Sequence, residues 1–202
     1  MGLFVAPDGE PRCGWVEGVP EFLAYHDQEW GFPVVDDQRL FEKVSLEAFQ
    51  SGLSWRTILA KRENFRQAFA GFDYHVVAEF DDGERDRLRS DAGIVRHRGK
   101  IDAVINNAQR AIEMEQEFGT IAAYFWSFEP SADSVGEPQS QSTTPASTQL
   151  SKDLKKRGWK FVGPTTVFAF MQAMGLVNDH LVECVVHGPV EDARKGFRRP
   201  GR

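Results

Sequence analysis

The chain has 202 residues and a formal net charge of −6, with 41% hydrophobic and 27% charged residues, an ordinary composition for a globular protein. No apolar run approaches the roughly 20 residues that a membrane-spanning helix needs, so we expect no membrane partner. The length allows one domain or two small lobes.

Basic residues are concentrated in three segments. Residues 84–110 carry a net charge of +3, residues 151–160 carry +4 and residues 191–202 carry +3, which leaves −16 for the rest of the chain. Such segregation can make a basic face on an acidic protein. The same counts also fit ordinary solvated helix faces, and the sequence leaves both interpretations open.

The N-terminal residues, 1–11, lack the apolar core of a signal peptide and are predicted to be flexible. We therefore expect a cytoplasmic, reducing location, which disfavours a disulfide between Cys13 and Cys184. His26 follows the first cysteine, and His180 precedes the second at the i, i+4 spacing of one helical face. Two cysteines and two histidines make a complete tetrahedral zinc set. Buried cysteines that act as small hydrophobic residues are the simpler alternative.

Helical spacing with glycine stops predicts an all-α chain. The segments with this pattern are 36–52, 62–72, 79–93, 100–119 and 150–158. The stretch 129–150 is polar and rich in serine and proline, which predicts a surface loop or linker. The globular domain is then expected over 12–187, with two helical lobes, followed by a flexible basic tail over 188–202.

Glu47 is the carboxylate that stands out for possible chemistry. It lies three residues after Val44 and borders the apolar stripe of its predicted helix. A glutamate at the rim of a packed helix needs no function. Aromatic residues near it, or near the first Cys/His pair, are Trp15, Tyr25, Trp30 and Trp55. Aromatic faces beside one carboxylate suit a flat heterocycle, because rings stack on it and the carboxylate accepts its N–H groups.

A second group of polar residues lies within 84–117, which is predicted as helix, short glycine-bearing turn and helix. The backbone N–H groups of such a hairpin can bind a DNA phosphate, and Arg96, Arg98 and Lys100 would add positive charge. Any helical hairpin with basic turn residues has the same pattern, so this feature alone is not specific.

Seven short segments together resemble the 3-methyladenine DNA glycosylase I family. They are RCGW at 12–15, AYHDQEWG at 24–31, LEAFQSGLSW at 46–55, KREN at 61–64, DAGIVRHRGKI at 91–101, KKRGWKFVGPTT at 155–166 and FMQAMGLVNDH at 170–180. The resemblance implies a helix-hairpin-helix DNA glycosylase fold. It also implies excision of 3-methyladenine from alkylated double-stranded DNA by base flipping.

The resemblance assigns roles to individual residues. It implies structural zinc ligands at Cys13, His26, His180 and Cys184, with no open position for water. It implies a base-recognising catalytic carboxylate at Glu47, stacking or pocket aromatics at Tyr25, Trp55, Trp15 and Trp30, and DNA contacts at Gly52, Leu53, Arg96, Arg98, Gly99 and Lys100. Phe22 departs from the pattern, because some relatives have a tyrosine there.

The expected enzyme is a monofunctional, monomeric hydrolase without a nucleotide cofactor. One alternative is a glycosylase with lyase activity that uses Lys100 to form a Schiff base. Another is a non-catalytic, zinc-stapled DNA-binding protein. A third is a zinc hydrolase with Cys13, His26 and His180 as ligands and a free Cys184.

Overall fold

The structure is a computed structural model that describes residues 2–131 and 134–201. An N-terminal antiparallel hairpin pairs β1 (Leu3–Val5) with β2 (Pro11–Cys13). The helices that follow are α1 (Pro20–Gln28), α2 (Asp37–Gln50), α3 (Trp55–Ala60), α4 (Arg62–Ala68), α5 (Tyr74–Ala78), α6 (Asp82–Ser90), α7 (Arg98–Phe118), α8 (Ile121–Trp126), α9 (Pro145–Lys156), α10 (Pro164–Ala173) and α11 (His187–Gly196). With 59% helix and 3% strand, the protein is mostly helical, as predicted, although the all-α prediction did not include the N-terminal hairpin.

Helix α2 is the centre of the fold. The Asp36 side chain accepts a hydrogen bond from the Arg39 backbone N–H and caps the start of the helix. Every residue from 40 to 49 is buried, because α10, α7 and α8 pack around the helix. A helix that is covered on all sides holds even its polar side chains inside the protein, and this places Glu47 in the interior.

None of the helices in the described part of the chain has the length and apolarity that crossing a membrane would require.

The two ends that were predicted to be flexible contain regular secondary structure. Within 1–11, of which residue 1 lies outside the described residues, β1 pairs with β2 through a turn with Gly9 at φ +86°. Within 188–202, of which residue 202 lies outside them, α11 continues to Gly196. Arg194 and Arg199 both contact Glu129, at 3.0 and 2.8 Å, so these charges tie the tail to the body of the protein.

The predicted polar loop over 129–150 is shorter than expected. Helix α9 already begins at Pro145, because Thr144 and Ser147 form a reciprocal capping box at its start. The predicted basic helix at 150–158 is therefore the second part of a longer one. Residues 132–133 of the predicted loop lie outside the described part of the chain.

Candidate active site and metal cluster

One cavity of about 430 Å³ brings together the five pocket residues expected from the sequence. They are Trp15, Tyr25, Trp30, Glu47 and Trp55. Phe22, the position without the tyrosine of some relatives, also lines it. The cavity walls are mainly apolar, and Glu47 supplies a carboxylate inside them, as expected of a site for a flat heterocycle.

The aromatic wall is built by three neighbouring elements. Trp15 follows β2, Tyr25 and Trp30 belong to α1 and the residues after it, and Trp55 begins α3. The rings of Trp15 and Trp30 meet edge to face with centroids 5.2 Å apart. Tyr25 and Trp55 lie at the same centroid distance, tilted by 45°. These contacts fix the orientation of each ring before any ligand enters.

Glu47 is paired with a lysine that the sequence analysis did not single out. The Lys43 Nζ lies 2.6 Å from Glu47 Oε1 and also donates to the Tyr25 hydroxyl oxygen at 2.8 Å. Both members of the ion pair are buried. Burial lowers the pKa of Lys43, while the Glu47 carboxylate acts in the opposite direction. The i, i+4 spacing was a signal that could have identified this pair.

Polar residues also line the cavity, and some of them come from the loop that precedes α9. Gln139 donates from its backbone N–H to Asp179 Oδ1 at 2.9 Å, and Gln172 donates to Asp179 Oδ2 at 2.6 Å. Burial raises the pKa of Asp179. Gln141 lines the same cavity. Sequence analysis missed these residues, because no local pattern indicates that a polar loop folds over a pocket.

The four predicted metal ligands converge into one buried cluster, with all ligand atoms within 4.8 Å of one another. Cys184 Sγ lies 3.5 Å from His26 Nε2 and 3.6 Å from His180 Nδ1, and Cys13 Sγ lies 3.7 Å from His180 Nδ1. A tetrahedral zinc with bonds of about 2.3 Å to sulfur and about 2.0–2.1 Å to nitrogen puts such ligands about 3.5 Å apart. The residues therefore fit zinc in number, type and spacing.

The second nitrogen of each histidine has its own acceptor. His26 Nδ1 lies 2.6 Å from Asp27 Oδ1, and His180 Nε2 lies 2.9 Å from the Trp30 carbonyl oxygen. Donation to these oxygens leaves the nitrogen that faces the cluster unprotonated, as a metal ligand must be. Arg12 holds Asp27 in turn, with its Nε 3.0 Å from Oδ1.

His180 and Cys184 do not share a helix, which corrects the predicted helical face. They lie between α10 and α11, after Gly175, which has φ +77° and stands two residues beyond the end of α10. The Asn178 side chain then accepts from the His180 N–H at 3.3 Å, and the Cys184 N–H bonds the Leu181 carbonyl at 2.9 Å. The backbone follows turns, and these turns still bring both side chains to the cluster.

The expected DNA-contacting residues lie on two adjacent segments. Gly52 has φ +79° in the turn after α2, and Leu53 beside it is 43% exposed. Arg96 and Arg98 are exposed where residues 91–97 connect α6 to α7, and Gly99 is in the first turn of α7. The two segments touch, because Lys100 of α7 donates to the Ser51 carbonyl.

Lys100 itself does not reach the surface, contrary to the predicted phosphate contact. It is 6% exposed, and its Nζ also donates to the Phe49 carbonyl oxygen at 2.8 Å. The carbonyl groups at the end of α2 attract a cation, because they have no further partner within their helix. The Lys100 side chain therefore connects α7 to the end of α2 through hydrogen bonds.

Comparison with known proteins is consistent with this geometry. A family model described as methyladenine glycosylase matches residues 15–187. The chain is 50% identical to DNA-3-methyladenine glycosylase 1 of Escherichia coli (strain K12) over 177 residues, which cover 86% of this chain and 95% of the relative.

Solved structures give the same result. The fold matches a crystal structure of 3-methyladenine DNA glycosylase I with a TM-score of 0.82 and 47% identity, covering 87% of this chain and 99% of that chain. A variant of 3-methyladenine DNA glycosylase I in complex with 3-methyladenine matches with a TM-score of 0.80 and 38% identity, covering 87% and 96%. Since family model, relatives and structures agree over most of its length, the chain belongs to the methyladenine glycosylase family.

Proposed function

We propose that this protein is a monofunctional DNA-3-methyladenine glycosylase that hydrolyses the N-glycosidic bond of 3-methyladenine in alkylated DNA during base-excision repair. The observation that carries the proposal is the buried Glu47 carboxylate inside an aromatic cavity of about 430 Å³. The related structure named as a complex with 3-methyladenine supports the same ligand. A non-catalytic DNA-binding protein would not need an ionisable group in such a pocket.

The proposed mechanism begins with extrusion of the damaged nucleotide, which costs a few kcal/mol of stacking and pairing. Leu53, exposed beside Gly52, would fill the gap in the duplex. Methylation at N3 gives the base a delocalised positive charge and weakens its glycosidic bond. Tyr25 and Trp55 would then stack on the cationic ring, a contact that favours positive charge.

Glu47 would select the base and stabilise the charge that develops during bond cleavage. Its carboxylate can accept a hydrogen bond from the exocyclic amino group, and a preorganised anion in a dry cavity stabilises nearby positive charge. Water adds to C1′ and loses one proton to the solvent, and the cationic base leaves as neutral 3-methyladenine with the electron pair of the glycosidic bond.

We further propose that Cys13, His26, His180 and Cys184 bind a structural zinc ion. When bound, zinc would supply no reaction chemistry, because four protein ligands leave no position for water. This donor set also disfavours the zinc hydrolase alternative, because the Cys184 sulfur lies within contact distance of both histidines.

The buried Lys100 favours the monofunctional enzyme over the lyase alternative. To form a Schiff base, Lys100 would have to leave both carbonyl partners and the interior. We expect borohydride to trap no covalent adduct between the protein and substrate DNA. We also propose that α6, residues 91–97 and α7 form a helix-hairpin-helix motif. The protein is further proposed to be a monomer in the cytoplasm.

Glu47→Gln tests the function directly. We expect the variant to release 3-methyladenine from methylated duplex DNA about 100-fold more slowly or worse, because the neutral amide keeps the shape but loses the charge. Glu42→Gln is the matched control. Glu42 lies on the same helix, is also buried and pairs with Arg66 at 2.9 Å, outside the cavity lining.

Release of 7-methylguanine from the same DNA measures how selective the enzyme is for 3-methyladenine.

Full activity of Glu47→Gln would contradict the role of Glu47. No release from the folded, metal-loaded wild-type protein would favour a DNA-binding module instead.

A further inference from the structure

Lys43 contacts the candidate base-binding residues from behind the cavity wall. Its Nζ lies 2.6 Å from Glu47 Oε1 and 2.8 Å from the Tyr25 hydroxyl oxygen. The same atom lies 3.5 Å from the centroid of the Trp55 ring, over its face. Tyr25, Glu47 and Trp55 line the cavity, whereas Lys43 lines a smaller space behind them. One ammonium group therefore contacts a carboxylate and two aromatic rings that face the cavity.

The burial of this ion pair makes its charges strongly dependent on each other. The side chains of Lys43 and Glu47 are 7% and 5% exposed. If one of the two charges is removed, the remaining charge is therefore little solvated by water. A buried carboxylate without a partner favours its neutral form, whereas an opposite charge in contact favours ionisation. The carboxylate needs its charge to accept hydrogen bonds from a base and to stabilise positive charge.

We propose that Lys43 is a positioning residue that acts through Glu47: its ammonium group is the counter-ion that keeps Glu47 ionised in the empty cavity and fixes its carboxylate beside Tyr25 and Trp55. The proposal deepens the proposed function, because it rests on Glu47 as the base-recognising group. The pair itself is neutral. Because Glu47 lines the cavity and Lys43 lies behind it, an incoming cationic base meets the negative end of this pair, which is oriented to accept a hydrogen bond and to stabilise positive charge.

The neighbouring charges do not replace Lys43. Those on the elements packed around the pair or across the cavity are Glu29, Arg39, Glu42, Arg62, Asp179 and Lys100. Arg62 is committed to Glu29 at 2.7 Å, and Lys100 to the carbonyl groups at the end of α2. Helix α10 packs on α2 and contains no charged residue. Among the described residues, Lys43 is the cation recorded in contact with the Glu47 carboxylate.

Titration of Glu47 in the DNA-free protein tests the proposal without any activity measurement. The carboxyl carbon of Glu47 is followed by NMR in protein labelled with ¹³C-glutamate, and its signal is assigned by its loss in Glu47→Gln. In Lys43→Met, which keeps a long unbranched side chain without charge, we expect the midpoint to rise by about 1–3 pH units. Lys43→Arg retains a positive charge and should keep the midpoint closer to that of the wild type.

An unchanged midpoint in Lys43→Met would overturn the proposal. If circular dichroism shows that this variant does not fold, Lys43→Gln, which keeps a hydrogen-bond donor, provides the same comparison.

The second readout is the pH dependence of the rate of 3-methyladenine release. The fall of this rate at low pH should move to higher pH in Lys43→Met, and a fall that stays at the same pH would also contradict the role of Lys43. Absence of release by the wild-type protein would contradict the proposed function, while the NMR titration would still decide whether Lys43 controls Glu47.

Discussion

Gly175 is a single residue on which the position of the pocket wall depends. It lies two residues beyond the end of α10 with φ +77°. A Cβ atom there would lie 2.5 Å from Pro33 N, 2.6 Å from the Phe32 carbonyl carbon and 2.7 Å from the Gly31 carbonyl oxygen. These are backbone atoms of the segment that directly follows Trp30. The close approach of two backbones at this point requires a residue without a side chain.

We therefore expect Gly175→Ala to lower the free energy of unfolding by about 2–5 kcal/mol. The left-handed backbone costs an L residue about 1–2 kcal/mol, and overpacking typically costs about 1–3 kcal/mol. Urea denaturation followed by circular dichroism measures the change.

Gly188→Ala is the control for this substitution. Gly188 lies in α11 with no atom within 4 Å of the added Cβ, so the variant should be neutral or slightly more stable. Equal stability of the two variants would show that the close backbone approach is not needed.

Single residues also show how far the sequence could lead. The candidate site at Glu47 was predictable, because the residue borders an apolar stripe close to aromatic residues and lies within a segment that resembles the family. The i, i+4 spacing could have indicated the Lys43–Glu47 pair, but the burial of Lys43 and Lys100 was not predictable, since lysine is ordinarily an exposed residue. Both are buried here because packing around α2 encloses them beside a carboxylate or carbonyl groups. That packing depends on contacts distant in sequence.

At the scale of elements, one buried side chain joins the end of α2 to the start of α7. Lys100 donates to the carbonyl oxygens of Phe49 and Ser51, which have no continuing helix to bond. The turn that carries Leu53 follows immediately. The junction therefore sets the position of the proposed wedge relative to the hairpin.

Lys100→Met should lower the free energy of unfolding by about 1–3 kcal/mol, because buried carbonyl groups lose their donor. The matched control is Lys152→Met on α9, where the lysine is exposed and the change should stay within about 0.5 kcal/mol. Thermal and urea unfolding measure both variants. An equally small effect at Lys100 would contradict its role as the link between the helices.

The sequence indicated the elements themselves better than the connections between them. Helices α2 and α7 were predictable from apolar spacing with Asp36 before the first and Gly119 after the second. The start of α9 was missed because its cap, Thr144, stands among other small polar residues. The turns around His180 and Cys184 were missed because i, i+4 spacing does not distinguish a helix from turns that bring two side chains to the same point.

At the scale of the whole molecule, the cluster of two cysteines and two histidines joins the N-terminal hairpin and α1 to the segment between the last two helices. Cys13 closes the N-terminal hairpin, His26 lies on α1, and His180 and Cys184 lie between the last two helices. The His26 ring also meets Trp15 edge to face at 5.2 Å, and the His180 ring meets Trp30 at 4.6 Å. Metal binding would therefore stabilise the aromatic wall of the cavity as well as the closure of the chain.

Removal of the proposed zinc ion should consequently destabilise the entire fold. A ligand that binds the folded chain stabilises it through mass action, and a loss of about 3 kcal/mol would lower the melting temperature of a chain of this size by about 6–12 °C. We expect about one zinc per chain by elemental analysis, and two thiols that react with a disulfide reagent after chelation but not before it.

Substitutions inside and outside the cluster separate this effect from other actions of the chelator. Cys13→Ala should melt at the lower temperature and should no longer respond to the chelator. His75→Ala, at an exposed position on α5, should respond as the wild type does. Thiols that react fully in the native protein before chelation, together with a melting temperature that a chelator leaves unchanged, would contradict a closed metal site. The histidines and cysteines would then be ordinary core residues, and the aromatic wall would depend on packing alone.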